Sequence, residues 1–387
     1  MPSTQDQIVT ALLYTRTASG IGAPGLFWGA PGVAKSACIA ALAIENGMHL
    51  QLLSPGLMGE GAFGAIAVPL VGADGVTRVT YPTPSWTQDM EHDGIPVPSI
   101  VFIDEITTAN RALQPPLLGL INDRRVGFHY LGEHVRVLAA GNPPEQAAGG
   151  YELSAPVANR LGHFEWENPT VASWGEFMMG GNGPTKQLRD PFETQQNVDA
   201  RFVAEYGGVL SVALSFLRVK PHYLHAIPGD ADPQRGKAWA SHRTWDLGIR
   251  TMATAACLGL DVQQDLLTGY IGEGIAAEFG AFRRALDLPD PAAVLLGKVQ
   301  WKHDPYRLDR TFAVLTSCAL MCADKTTPER TAKITRMWDI IAAVADSAAD
   351  LCINPVATLA KSGCLTTPNA AKSMMKLQPM MREAGVL

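Results

Sequence analysis

Up to about residue 168, short apolar runs bounded by glycine and proline alternate with Ala-rich helical segments; beyond it, helical periodicity takes over. Residues 7 to 18 are apolar enough for a short helix, which the Gly-rich run at 20 to 25 must end. A strand is predicted at Leu26 to Trp28, then a loop from Gly29 to Ser36, then a helix from Ala37 to about Asn46. His49 to Leu53 suits a second strand, although a buried helical turn would give the same pattern. Residues 64 to 84 read as a hairpin around Gly72-Ala73-Asp74-Gly75, and Ser99 to Ile103 as a third strand buried on both faces. A helix from Asn110 to Asn122 precedes a second hairpin, Arg125 to His129 and Glu133 to Leu138. Its second arm runs on into Gly141-Asn142 as a fourth strand, and His163 to Trp166 supplies a fifth.

The α/β pattern predicts a parallel sheet domain over 1–168, followed by helical segments near 205–218, 243–259, 263–286, 309–323 and 331–351. The expected division is an α/β domain (1–168), a helical lid (169–300) and a helical C-terminal extension (301–387). A chain of 387 residues has room for two or three such cores.

Composition narrows the partners. Hydrophobic residues make up 47% and charged residues 18%, a low charge fraction that hints at surface covered by other subunits or at a large Ala-rich core. The formal net charge of -6 disfavours nucleic acid as a partner, because the chain as a whole lacks the positive field that attracts phosphates. No uninterrupted apolar run of membrane length is visible, and the first residues carry no signal pattern; a cytoplasmic location is expected. The six cysteines are scattered and read as reduced core residues. Cys318 and Cys322 share a helical face, but no histidine pair joins them. His222, His225 and His242 likewise lack an acidic or thiol partner at ligand spacing and read as ordinary loop histidines.

Chemistry is concentrated in two motifs. Gly29-Ala30-Pro31-Gly32-Val33-Ala34-Lys35-Ser36 fits the phosphate-loop pattern GxxxxGK[ST] except at Ala34, which stands where the last glycine belongs. In such a loop the backbone N–H groups and the following helix N-terminus face the phosphates, Lys35 reaches the β and γ oxygens, and Ser36 ligates Mg2+. Alanine favours negative φ, so Ala34 costs nothing only where the backbone there is already helical. The second motif, Ile100 to Glu105, is an apolar strand ending in paired carboxylates. Asp104 at the strand end suits the Mg2+ shell, and Glu105 suits orientation of an attacking water, since phosphoryl transfer is mainly positioning and charge stabilisation. ATP and Mg2+ are therefore the expected ligands.

From about residue 25 to 167, with weaker hints to 250, the order of motifs resembles that of MoxR-type AAA+ ATPases. It is carried by Asp104-Glu105, Leu117-Leu118, the segment from Arg125 to Arg136, Gly141-Asn142-Pro143-Pro144-Glu145, and Asn159-Arg160-Leu161. The resemblance implies an AAA+ α/β domain with a lid, ATP hydrolysis, and a homo-oligomeric ring, expected to be hexameric. It also implies action on a protein client, with a von Willebrand factor A domain protein as a candidate partner. Asn142 matches the sensor 1 amide, Arg160 the arginine finger that reaches a neighbour's γ-phosphate, and Arg243 the sensor 2 arginine at the start of a lid helix capped by Ser241. Two departures stand out: His242 replaces a usual proline, and Thr107-Thr108 occupies the place of an Asn-Arg pair that here falls at Asn110-Arg111. The hairpins at 64–84 and 125–138 correspond to elements that relatives direct toward a central pore, and either substrate contact or packing on a neighbouring subunit would suit them. An ATP-gated scaffold with weak turnover is the alternative reading.

Overall fold

The structure, a computed structural model, describes residues 4–64, 66–92, 94–143, 150–168, 170–171, 179, 191–365 and 368–383. Pro144 and Glu145 of the expected sensor segment lie outside the described residues.

Five strands form one parallel sheet: β1 (Gly25–Trp28), β2 (His49–Leu53), β3 (Ser99–Ile103), β4 (Val135–Gly141) and β5 (Gly162–Glu165), in the order β5-β1-β4-β3-β2. Every residue of β1, β3 and β4 is buried, as expected of central parallel strands covered on both faces. The order sets β4 between the strand that feeds the glycine loop and the strand that ends in Asp104, so the tips of all three converge. Helix α1 (Thr4–Tyr14), helix α2 (Lys35–Glu45) and helix α3 (Gln114–Asp123) accompany the sheet. This is the α/β parallel-sheet class with a helical extension that the sequence predicts.

Several boundaries differ from expectation for visible reasons. Helix α1 stops at Tyr14, not near 18, because Arg16–Thr17 pairs antiparallel with Gly20–Ile21 around the turn. Helix α3 starts at Gln114 because Asn110 turns its side chain onto the N–H groups of Ala112 and Leu113, which holds a turn there before Pro115 and Pro116. The second hairpin is only Arg125–Val126 with His129–Tyr130. The segment expected to be its return arm belongs to β4, where both faces are buried. The hairpin Val68–Val71 with Thr77–Thr80 forms as predicted.

Two compact units emerge. The first comprises residues 1–202 and 224–276, so it contains α5 (His242–Thr254) and α6 (Leu260–Ile271) together with the sheet. Tyr270 of α6 meets Phe164 of β5 edge-on at 6.0 Å and donates to the Pro24 carbonyl. The approach depends on Gly269, where a Cβ would lie 2.3 Å from the Phe164 ring. The second unit comprises 203–223 and 277–387. Helices α4 (Pro191–Val219) and α7 (Glu273–Ala285) each contribute residues to both units. The break between α6 and α7, expected as one helix over 263–286, falls at Gly272, whose φ of 86° only glycine adopts readily.

The second unit packs α8 (Leu308–Ala323), α9 (Arg330–Ala345), α10 (Ile353–Lys361) and α11 (Pro368–Glu383) around Trp338, whose indole donates to the Cys364 carbonyl at 2.7 Å. Cys318, Cys322, Cys352 and Cys364 are buried there as free thiols; burial pushes the Cys322 and Cys352 thiols up to about 12. Cys257 departs from expectation: it is exposed, with Arg201 donating to its sulfur. Thr194–Val219 contains an 18-residue window with a mean hydropathy of 1.4, long and apolar enough to cross a membrane by length and composition, although Asp199, Arg201, Glu205 and Arg218 interrupt the segment. Its Asp199 pairs with Arg16 and its Arg218 with Asp350, so polar groups along the helix have protein partners.

Candidate nucleotide site

The loop after β1 turns back on itself through Gly32, at φ 81°, and Ala34, at φ 65° and ψ 24°. Ala34 is therefore left-handed, not helical as a cost-free substitution would require. A Cβ in that region costs roughly 1 kcal/mol, which is why the pattern asks for glycine here. The open side of the loop has room: a Cβ at Gly32 would meet nothing within 4 Å. The opposite side is tight, since a Cβ at Gly29 would sit 2.9 Å from Trp166.

Helix α2 begins at Lys35 itself, so its unpaired first-turn N–H groups face the loop. Lys35 Nζ donates to the carbonyls of Gly29 (2.7 Å) and Ala30 (3.0 Å) and to Asn142 Oδ1 at 3.3 Å. Desolvation lowers its pKa, while Asp104 and Glu105 act in the opposite direction. The ammonium is thus held beside the loop by weak neutral acceptors, which a phosphate would outcompete.

Ser36 Oγ donates to Asp104 Oδ2 at 2.6 Å, joining residues 68 positions apart. Asp104 Oδ1 accepts from the Glu105 N–H, and the Asp104 N–H donates to the Leu53 carbonyl. Glu105 is exposed and left-handed, with φ 53° and ψ 47°, an uncommon conformation for a non-glycine residue. The Ile106–Thr108 turn keeps it there: Thr108 Oγ1 donates to the Glu105 carbonyl and accepts from the Gly56 N–H. Thr108 was legible in the sequence only as a departure from an expected Asn-Arg pair; as a hydroxyl three residues past Glu105 it is the right type to close that turn.

Gly32, Val33, Ala34, Lys35, Ser36, Asp104, Glu105, Gly141 and Asn142 line one cleft of about 260 Å³, together with Pro31 and Ala37. The donor set fits a magnesium nucleotide: a backbone cradle and an ammonium for the phosphates, with a hydroxyl and a carboxylate oxygen in contact for the metal. Ser36 and Asp104 would hold Mg2+, which when bound supplies charge neutralisation across the β and γ phosphates.

Arg160 and Arg243 do not line that cleft. They share a second one, of about 510 Å³, with Arg16, Asp123, Arg125 and Glu133 among its walls. Arg160 donates one bond, from Nη1 to the Pro156 carbonyl, and its Nε is buried without a partner among the described residues. Burial first and Arg243 second lower its pKa. Arg243 is exposed and, among the described residues, makes no hydrogen bond or ion pair. Helix α5 carries it because Ser241 caps that helix in a reciprocal box with Thr244. His225 and His242 approach to 6.1 Å, yet no group of three metal-ligating side chains gathers among the described residues.

No protein-family profile and no curated protein sequence matches the chain. Among solved structures, a protein from Cytophaga hutchinsonii, provisionally named an ATPase, aligns over 74% of this chain and 89% of its own, at 13% identity and a TM-score of 0.45.

Proposed function

We infer that this protein hydrolyses ATP in a Mg2+-dependent reaction. The observation that carries the inference is the convergence, at three adjacent strand tips, of Lys35, Ser36, Asp104, Glu105 and Asn142 in one cleft. Lys35 exchanges its carbonyl acceptors for phosphate oxygens, and Asn142 follows as a neutral amide within reach of the same group. Glu105, exposed on its strained turn, orients and polarises the attacking water, while Asp104 stays bound to Ser36 as the metal-facing carboxylate.

The finer reading is a MoxR-like AAA+ ATPase that works as a ring, hexameric by that resemblance, and remodels or activates a partner protein such as one with a von Willebrand factor A domain. Support for assembly comes from Arg160 and Arg243: two guanidinium groups with little else to bind share a cleft that is not their own nucleotide site. A neighbouring subunit's triphosphate is the ligand such a pair would serve as arginine finger and sensor. Support for a protein partner comes from exposed apolar side chains on both hairpins, Leu70, Val71, Val79 and Phe128 among them, with Tyr81 packed on Phe128 at 4.9 Å.

ATPase activity measured across a protein concentration series tests this reading. Specific activity should rise as subunits associate. Glu105→Gln should lower turnover at least about 100-fold with nucleotide binding retained, and Arg160→Ala should do the same without unfolding. Normal turnover in either variant removes that residue's role. The left-handed Ala34 favours a second reading, an ATP-gated scaffold that turns over poorly; sustained turnover at assembling concentrations rules it out.

A further inference from the structure

The residues bracketing Arg160 tie it in two directions. On one side Asn159, itself buried, accepts from Ser241 Oγ at 2.8 Å and donates through Nδ2 to the Trp239 carbonyl at 3.1 Å. Ser241 is the cap of α5, so this contact fixes the turn that bears Arg160 to the first turn of the helix that bears Arg243. On the other side His163 Nδ1 accepts from the indole Nε1 of Trp28 at 3.0 Å, and His163 Nε2 meets the Ala158 carbonyl at 3.0 Å. An indole N–H only donates, so Nδ1 carries the lone pair and Nε2 the proton that goes to Ala158.

Trp28 is the last residue of β1, immediately before Gly29 and the glycine loop. Its carbonyl accepts from the Trp166 N–H, and its ring closes on Gly141, where a Cβ would come within 3.2 Å, one residue before Asn142. A continuous run of short contacts therefore joins the base of the phosphate loop and the Asn142 strand tip, through Trp28 and His163, to Ala158, Asn159 and Arg160. It then continues through Ser241 to the helix of Arg243.

We propose that His163 and Asn159 are positioning residues that hold the Arg160–Arg243 pair in register with the chain's own nucleotide cleft, so that what the glycine loop binds governs where the two arginines point. The proposal rests on the hydrolytic reading above. Neither residue touches nucleotide; each acts through Arg160. A neutral, doubly bonded imidazole suits the task because its two contacts are directional and burial keeps it from taking a second proton, its pKa being pushed down to about 4.

A kinetic double-mutant cycle separates this role from simple structural support. His163→Leu removes both contacts and His163→Asn keeps an acceptor and a donor; both are measured alone and in the Arg160→Ala background, in the full-length chain. His163→Leu should lower kcat about tenfold, with KM for ATP changed less than about threefold, and His163→Asn should recover part of the loss, since misplacing a catalytic group by about 1 Å can cost up to 100-fold. In Arg160→Ala the same change should add less than about twofold. Multiplicative losses in the double variant, or an effect confined to KM, would overturn the proposal. Should His163→Leu not fold, Trp28→Phe, which removes only the indole donor, takes its place with the same criteria. If the wild-type chain itself turns over no ATP, the hydrolytic reading fails; if it turns over and Arg160→Ala is impaired while His163→Leu is not, only the positioning role fails.

Discussion

The hydroxyl of Ser36 donates to Asp104 Oδ2 at 2.6 Å, bridging the first turn of α2 and the tip of β3. With β4 lying between β1 and β3, its register sets Trp28 opposite Gly141 and Ile103 opposite Ala139, so the two motif-bearing strands end within two residues of each other. A carboxylate and a hydroxyl in contact are oxygen ligands of the type a hard divalent cation takes.

Ala34→Gly should stabilise the first unit. The wild-type residue sits at φ 65°, and removing its Cβ relieves roughly 1 kcal/mol of left-handed strain, less a few tenths for added chain entropy. A rise of about 2 °C in melting temperature by calorimetry is expected; a fall would mean that the loop backbone is not left-handed there.

Arg124→Met should destabilise by about 3 kcal/mol. The Arg124 guanidinium is fully buried and donates to the carbonyls of Val135, Ile121 and Gly22, with its pKa pushed down to about 10 by desolvation. Methionine fills the volume but leaves three buried acceptors without donors. Urea denaturation reads the loss, and a change below about 1 kcal/mol would show that water replaces the lost donors.

Stability should fall as the pH is lowered from 6.5 toward 4, in part through His163. Its imidazole holds a pKa of about 4 when folded and about 6.5 when unfolded. Above pH 6.5 neither state is protonated and the group contributes no pH dependence. Between the two values only the unfolded chain binds the proton, so folding loses up to about 3 kcal/mol, and below pH 4 the loss stops growing. Urea melts at pH 7.5 and 4.5 should show wild type losing about 2.5 kcal/mol more than His163→Asn; equal losses would place His163 in water.

Much of the sheet was legible because its strands are apolar on both faces: β3 runs over the predicted residues, and β1, β2 and β5 fall within one residue of them. The grouping of Lys35, Ser36, Asp104, Glu105 and Asn142 was readable too, because each sits at a strand tip or helix start set by pattern. Backbone handedness was legible at Ala34 only through the glycine that the loop pattern expects there, and not at Glu105, where the letters give no sign of positive φ. The return arm assigned to the second hairpin failed for a related reason. Val135 to Leu138 has strand propensity in either role, and only its parallel pairing with β1 and β3 decides it. His163 gave no signal and Asn159 was read only as part of the motif around Arg160, because a lone histidine in a strand and an asparagine before an arginine acquire these contacts only from Trp28 and Ser241, 135 and 82 positions away.

The most direct test is titration calorimetry of ATP into the folded protein with and without Mg2+, alongside Ser36→Ala. Saturable heat that strengthens with Mg2+ in the wild type, with the Mg2+ dependence reduced in Ser36→Ala, is the predicted result. Absence of any Mg2+-dependent heat from well-folded wild-type protein would contradict the account at its root.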